Sequence, residues 1–202
     1  MRRPAVVDVA VAVVVTIVAG AFVGAAGACV PTTPAPPEPP VIGLVETPTH
    51  DKVQLLRGSK QAGTAIDIDG VVAVSLDGEN TWEAPVALVE GLNTFNVVAS
   101  DARGQLSQPA TVAILVDTDA PSPPVIDPAP PTRTQDASVI IAGSIGESER
   151  LVIDGDVVPL QSTTFSLARD LPILGDNTIR LASRDLAGNE SSVVELHVDR
   201  VA

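Results

Sequence analysis

The sequence predicts an all-β protein made of two similar domains in tandem, which follow an N-terminal signal segment and a proline-rich stalk. Three observations lead to this prediction. Apolar and polar residues alternate along short segments, turn residues separate these segments, and a set of motifs occurs twice, about 84 residues apart. After the stalk, the sequence has no sustained helical periodicity.

Composition excludes several classes of function. The 202 residues include 12 Lys and Arg against 25 Asp and Glu, and the net charge of −13 argues against nucleic acid and anionic membrane surfaces as partners. A single cysteine cannot form an intrachain disulfide or a thiolate-rich metal site. We therefore expect no thiolate-bound metal, and no cofactor is expected from the sequence.

The N-terminus has the features of a signal peptide that covers residues 1–28. Arg2 and Arg3 precede the apolar run 9–28, which ends in small residues before Cys29. Residues 26–29 resemble the bacterial lipobox, and this resemblance implies that Cys29 is acylated and becomes the new N-terminus. An uncleaved membrane anchor and a plain secretory signal remain alternatives, since the apolar run is also long enough to span a bilayer. All three readings export the rest of the chain.

Residues 29–40 are predicted to form a stalk. Val30 to Pro40 contains six prolines, which favour an extended polyproline II conformation. At about 3.1 Å per residue, this segment spans about 34 Å.

The internal repeat divides the remaining chain into domains 41–119 and 120–202. Residues 39–42 return as 123–126, in the same order as several further matches. These matches are Gly58 with Gly143, Ile68-Asp69-Gly70 with Ile153-Asp154-Gly155, Asn93-Thr94 with Asn177-Thr178, and Asp101 with Asp185. Each domain has about 80 residues, enough to bury a core without disulfides.

The first repeat contains seven alternating segments, which predict seven short strands. They are 41–45, 53–57, 64–69, 71–76, 81–88, 94–100 and 111–116. Seven strands with turns every 8 to 12 residues are typical of an immunoglobulin-like β-sandwich. We expect the same architecture, with about seven strands, in the second repeat.

The repeated motifs are similar to those of bacterial Ig-like modules related to glucodextranase domain B. The resemblance rests on Gly58, Trp82, the segment 91–95 and the segment 185–191, with Phe165 at the position that corresponds to Trp82. It implies spacer, adhesive or accessory modules, and it does not imply a particular ligand.

Two groups of acidic residues are candidates for calcium binding. The segment 67–70 resembles part of an EF-hand loop, but the first and last ligand positions would be apolar, so we expect Asp69-Gly70 and its repeat at 154–155 to form hairpin turns. Linker residues Asp117 and Asp119 could also bind calcium together with Asp101 or Asp185. We expect these residues to be solvated linker acids instead, because no ligand spacing in the segment is diagnostic of calcium.

No catalytic residues are expected. Ser191 and Ser192 precede His197 on the same strand and cannot fold back onto it, and His50 lies in a polar turn. Trp82, Phe95 and Phe165 all fall at inward strand positions, so we expect Trp82 in a core and no aromatic platform for sugars.

We therefore expect a monomeric, non-enzymatic surface lipoprotein, lipid-anchored in the bacterial outer membrane or cell surface. It would act as a spacer or as an adhesive module for an unidentified envelope protein or glycan. The alternative is an accessory carbohydrate-binding or enzyme-assisting module.

Overall fold

The computed structural model describes residues 34–202, which form two compact units. Within this range, unit 1 comprises residues 34–46 and Asp51–Leu115, and unit 2 comprises Thr47–His50 and Val116–Ala202. The regular secondary structure of residues 34–202 consists of β-strands without any helix. The predicted all-β fold class is therefore confirmed.

Unit 1 is a sandwich of a three-stranded and a four-stranded sheet. Its strands are β1 (Val41–Ile42), β2 (Val53–Ser59), β3 (Thr64–Ile68), β4 (Val71–Asp77), β5 (Thr81–Ala87), β6 (Gly91–Asp101) and β7 (Ala110–Val116). The first sheet has the order β1-β2-β5, and the second has the order β4-β3-β6-β7. This arrangement is an immunoglobulin-like or fibronectin-III-like sandwich.

Unit 2 repeats this plan with one additional short strand. Its strands are β8 (Val125–Ile126), β9 (Arg133–Thr134), β10 (Ser138–Ser144), β11 (Arg150–Ile153), β12 (Asp156–Val158), β13 (Thr164–Asp170), β14 (Gly175–Arg184) and β15 (Val194–Arg200). The sheets have the orders β13-β10-β8 and β12-β11-β14-β15-β9. The extra strand, β9, pairs in parallel with the end of β15.

Alternation of side chains builds each core. In β5, Trp82, Ala84 and Val86 are buried, whereas the residues between them are exposed. The core of unit 2 draws on both of its sheets, because Ile141 and Phe165 of one sheet share a cluster with Leu151, Leu181 and Val198 of the other. Each sandwich therefore has a hydrophobic core of its own.

A glycine in β2 of unit 1, and its counterpart in β10 of unit 2, allows three elements to meet. A Cβ atom on Gly58 would lie 1.8 Å from the carbonyl oxygen of Val41 and 2.9 Å from Nε1 of Trp82. A Cβ atom on Gly143 would lie 2.1 Å from the carbonyl oxygen of Val125. The repeated glycine is thus required because backbone and aromatic ring approach closely at this position.

Candidate functional site

The predicted signal peptide, residues 1–28, and the predicted lipidation site, Cys29, lie outside the described residues. Among residues 34–202, no helix is long and apolar enough to cross a membrane.

Trp82 is a core residue, as expected. Its side chain is 4% exposed, and its indole Nε1 donates a hydrogen bond to the carbonyl oxygen of Val41 at 3.3 Å. Phe165, its counterpart in unit 2, is 6% exposed. Neither ring offers a free face on which a sugar could stack.

Phe95 differs from the expectation of an inward ring, because it is only half-buried. It lines a groove of about 390 Å³ in unit 1, together with apolar side chains of β4 and β5 that include Val71, Ala73, Pro85 and Ala87. Strand β4 carries two register irregularities against β3, and most of its residues are exposed. Phe95 itself lies beyond the last pair of β3 with β6, which is Ile68 with Val97.

The Asp-Gly motifs form hairpin turns, as predicted. Asp69 and Asp154 have φ values of 50° and 53°, and the glycine that follows each of them also has a positive φ. The carboxylate of Asp69 accepts a hydrogen bond from the backbone amide of Asn96 at 2.9 Å, and Asp154 does the same with Arg180 at 3.0 Å. These acids therefore anchor a turn to the neighbouring strand.

Asp101 and Asp185 organise equivalent loops in the two units. Asp101 Oδ1 accepts hydrogen bonds from the amides of Arg103 and Gln105, and its carboxylate pairs with the Arg103 guanidinium. The hydrogen bond from the backbone amide of Gln105 holds the pKa of Asp101 below its ordinary value, and the hydrogen bond from the Arg103 side chain adds a smaller effect in the same direction.

Asn189 completes the loop of unit 2. Its backbone amide donates to Asp185 Oδ1 at 2.8 Å, and its side-chain nitrogen donates to Asp185 Oδ2 and to the carbonyl oxygen of Asp117. Asp117 Oδ1 in turn accepts from the amide of Asp119. Within residues 34–202, no three metal-ligating side chains are grouped closely enough to hold an ion.

The candidate serines and histidines are engaged in other contacts. Ser191 Oγ accepts from the amide of Ser183 and donates to the carbonyl oxygen of Ser192, both at 2.9 Å. His197 is exposed, with Nδ1 3.1 Å from Asp176 Oδ2. His50 Nδ1 lies 2.7 Å from the carbonyl oxygen of Ala187. The hydroxyl of Ser191 thus binds backbone groups of β14 and of its own loop. Ser107 of unit 1 does the same, because its Oγ accepts from the amide of Ala99 in β6 and donates to the carbonyl oxygen of Gln108.

A repeated buried asparagine explains another motif. Asn93 Oδ1 accepts from the amide of Val89 at 2.9 Å, and Asn93 Nδ2 donates to the carbonyl oxygens of Val89 and Gly91. Asn177 makes the corresponding contacts with Ile173 and Gly175. The Gly-x-Asn-Thr repeat thus closes a loop onto itself with one side-chain amide.

Sequence reasoning did not find the buried lysine of unit 1. Lys60 Nζ donates to Asp77 Oδ1 at 2.6 Å and to the carbonyl oxygen of Thr64 at 2.8 Å. The Lys60 hydrogen bond, followed by the amide of Glu79, lowers the pKa of Asp77. No spacing rule distinguishes this lysine from an exposed one, because its partners become neighbours only when β2, β3 and β4 have formed.

The comparisons with known proteins concern the fold. No protein-family model and no curated protein matches the chain. Among solved structures, the chain is similar to the fibronectin(III)-like modules of Clostridium thermocellum CbhA, with 14% identity, a TM-score of 0.49, and coverage of 84% of this chain and 92% of that chain.

Two further solved structures are more distant. A putative membrane-anchored protein from Corynebacterium diphtheriae has 16% identity and a TM-score of 0.31, over 81% of this chain and 53% of that one. A Bacteroides ovatus protein, SGBP-B in complex with a mixed-linkage heptasaccharide, has 18% identity and a TM-score of 0.31, over 83% and 47% of the two chains. At these identities, the likeness extends to the β-sandwich architecture alone.

Proposed function

We propose that this chain is a non-enzymatic bacterial surface lipoprotein, in which two immunoglobulin-like sandwiches act as a spacer or an adhesive module of the envelope. The observation that carries the proposal is that the repeated polar side chains form hydrogen bonds with backbone groups. Asn93, Ser107 and Asp101, like their counterparts in unit 2, bind backbone groups of their own loops or of the adjoining strands. Side chains committed in this way are unsuited to proton transfer or nucleophilic attack on a substrate.

Membrane attachment through lipidated Cys29 is part of this proposal. An acylated N-terminal cysteine provides several acyl chains, which are sufficient for stable anchoring. The resemblance to glucodextranase domain B modules, together with the lipobox-like residues 26–29, supports an exported and anchored role. The surface is acidic overall, so a protein or neutral glycan partner fits it better than nucleic acid does.

The anchor is tested by feeding cells a radioactive fatty acid and determining the mass of the N-terminal peptide. We expect label in the wild-type chain, a peptide that begins at Cys29, and no label in Cys29→Ala. A peptide that begins at Met1 would indicate an uncleaved anchor, and an unmodified peptide that begins after the signal would indicate plain secretion. Either result, or label that persists in Cys29→Ala, contradicts lipidation at this residue.

The binding role is tested by cross-linking the exported chain to intact envelopes, in parallel with binding to a glycan array. A cross-linked envelope protein supports the adhesive role. The accessory carbohydrate-binding role is the second candidate, because the half-buried ring of Phe95 lines an open groove. Binding to the array that is lost in Phe95→Ala, but kept in the exposed control variant Leu92→Ala, would favour this second candidate.

A further inference from the structure

The proline-rich segment that precedes β1 is in contact with unit 1. Pro37 and Pro40 are buried, although they belong to a segment that the sequence predicts as a stalk. Ala35 and Pro37 line a cavity of about 280 Å³ together with Gln61, Gly63 and Arg103. The segment therefore has a binding surface on the β2–β3 turn and on the loop that follows β6.

One hydrogen bond fixes the register of this contact. In the run 36–40, four of the five residues are prolines, so Glu38 carries the only backbone N–H group. That group donates to Oε1 of Gln61 at 3.2 Å. A polyproline II segment has no internal hydrogen bonds, so a single external one aligns it at little entropic cost.

The surface beneath the segment is rigidly held. The β2–β3 turn is closed by hydrogen bonds from the amide of Lys60 to Asn80 and from the amide of Gly63 to Asp77. The hydroxyl of Thr64 donates to the carbonyl oxygen of Gln61 at 2.6 Å. Gln61 therefore presents its side chain from a fixed backbone.

We propose that residues 35–40 form a docked strap, a segment bound in cis that fixes the point at which the chain leaves unit 1 towards its N-terminus. If Cys29 is the anchor, which rests on the proposed function, docking of residues 35–40 removes about 19 Å from the reach of the stalk at about 3.1 Å per residue. The strap would thus set the distance between the membrane and unit 1.

The test is hydrogen exchange of the Glu38 amide, measured by NMR in the full chain. We expect exchange roughly tenfold or more slower than in a free peptide of residues 30–40. In Gln61→Ala the rate should rise to that of the peptide, whereas the amides of β6 should stay protected and so show that unit 1 is folded. The matched control, Gln108→Ala, changes an exposed glutamine of the same unit and should leave Glu38 protected.

Exchange of the wild-type Glu38 amide at the peptide rate would overturn the proposal, and so would protection that survives Gln61→Ala. The measurement does not depend on lipidation, because Cys29→Ala should retain the protection of Glu38. Failure of the strap is therefore distinguishable from failure of the anchor.

Discussion

Replacement of Gly58 by alanine tests whether the repeated glycine is required by packing. The added Cβ atom would lie 1.8 Å from the carbonyl oxygen of Val41, which is backbone and cannot rotate away. To relieve the overlap, β1 must move by more than about 1 Å from β2, since overpacking shifts the backbone. This movement also breaks the hydrogen bond from Trp82 Nε1 to Val41.

The cost is the sum of two effects. Overpacking of a closely packed site costs about 1–3 kcal/mol, and a lost hydrogen bond adds about 1 kcal/mol. We therefore expect a loss of about 2–4 kcal/mol in the free energy of unfolding of unit 1. For a domain of about 80 residues this loss lowers Tm by roughly 12–24 °C.

Trp82 fluorescence provides an assay specific to unit 1, because it is the only tryptophan in the chain and is buried there. The matched control is Gly78→Ala, since a Cβ atom at Gly78 meets nothing within 4 Å and its φ lies outside the left-handed region. We expect the control to melt at or slightly above the wild-type temperature. A Gly58→Ala transition within about 2 °C of wild type would refute the packing argument.

Three other predictions concern the buried polar groups and acidic pH. Asn93→Ala and Asn177→Ala should each destabilise their own unit by about 1–3 kcal/mol, because buried backbone groups lose their hydrogen-bond partner. Urea unfolding measures this loss, with fluorescence for unit 1 and circular dichroism for unit 2. Variants as stable as the wild type would contradict the prediction. Lys60→Met should lower the urea midpoint of unit 1 at pH 7, since the carbonyl oxygen of Thr64 and the carboxylate of Asp77 lose their cation. An unchanged midpoint would contradict a stabilising role for the ion pair. Because the pKa of Asp77 is lowered in the native state, its stabilising contribution is present above the ordinary carboxyl pKa and is lost as pH falls through the lowered value. Asp77→Asn should therefore lose less stability than wild type on acidification. Parallel stability profiles of the two proteins against pH would contradict this.

Local patterns of the sequence predict much of the fold. The alternation in residues 81–88 predicts β5 and the burial of Trp82, because one face of a strand meets the core. The Asp-Gly motifs predict two hairpin turns, since glycine and aspartate tolerate a positive φ. The repeat predicts a second sandwich of the same plan without further assumptions.

Features that depend on contacts between residues far apart in the sequence are not predictable from local patterns. Phe95 lies beyond the last pair of β3 with β6, Ile68 with Val97, and alternation does not reveal where this pairing ends. The burial of Lys60 depends on Asp77, 17 residues away. Docking of Pro37 depends on the β2–β3 turn and the loop after β6, whereas composition alone predicts a free stalk.

Hydrogen exchange measured over residues 34–202 tests the central claim most directly. If the chain consists of two separately cored sandwiches, the slowest amides should fall into two groups of similar protection, in the inner strands β3 and β6 of unit 1 and β11 and β14 of unit 2. Protection confined to one of the two units, or exchange at unfolded rates in either group, would contradict the account.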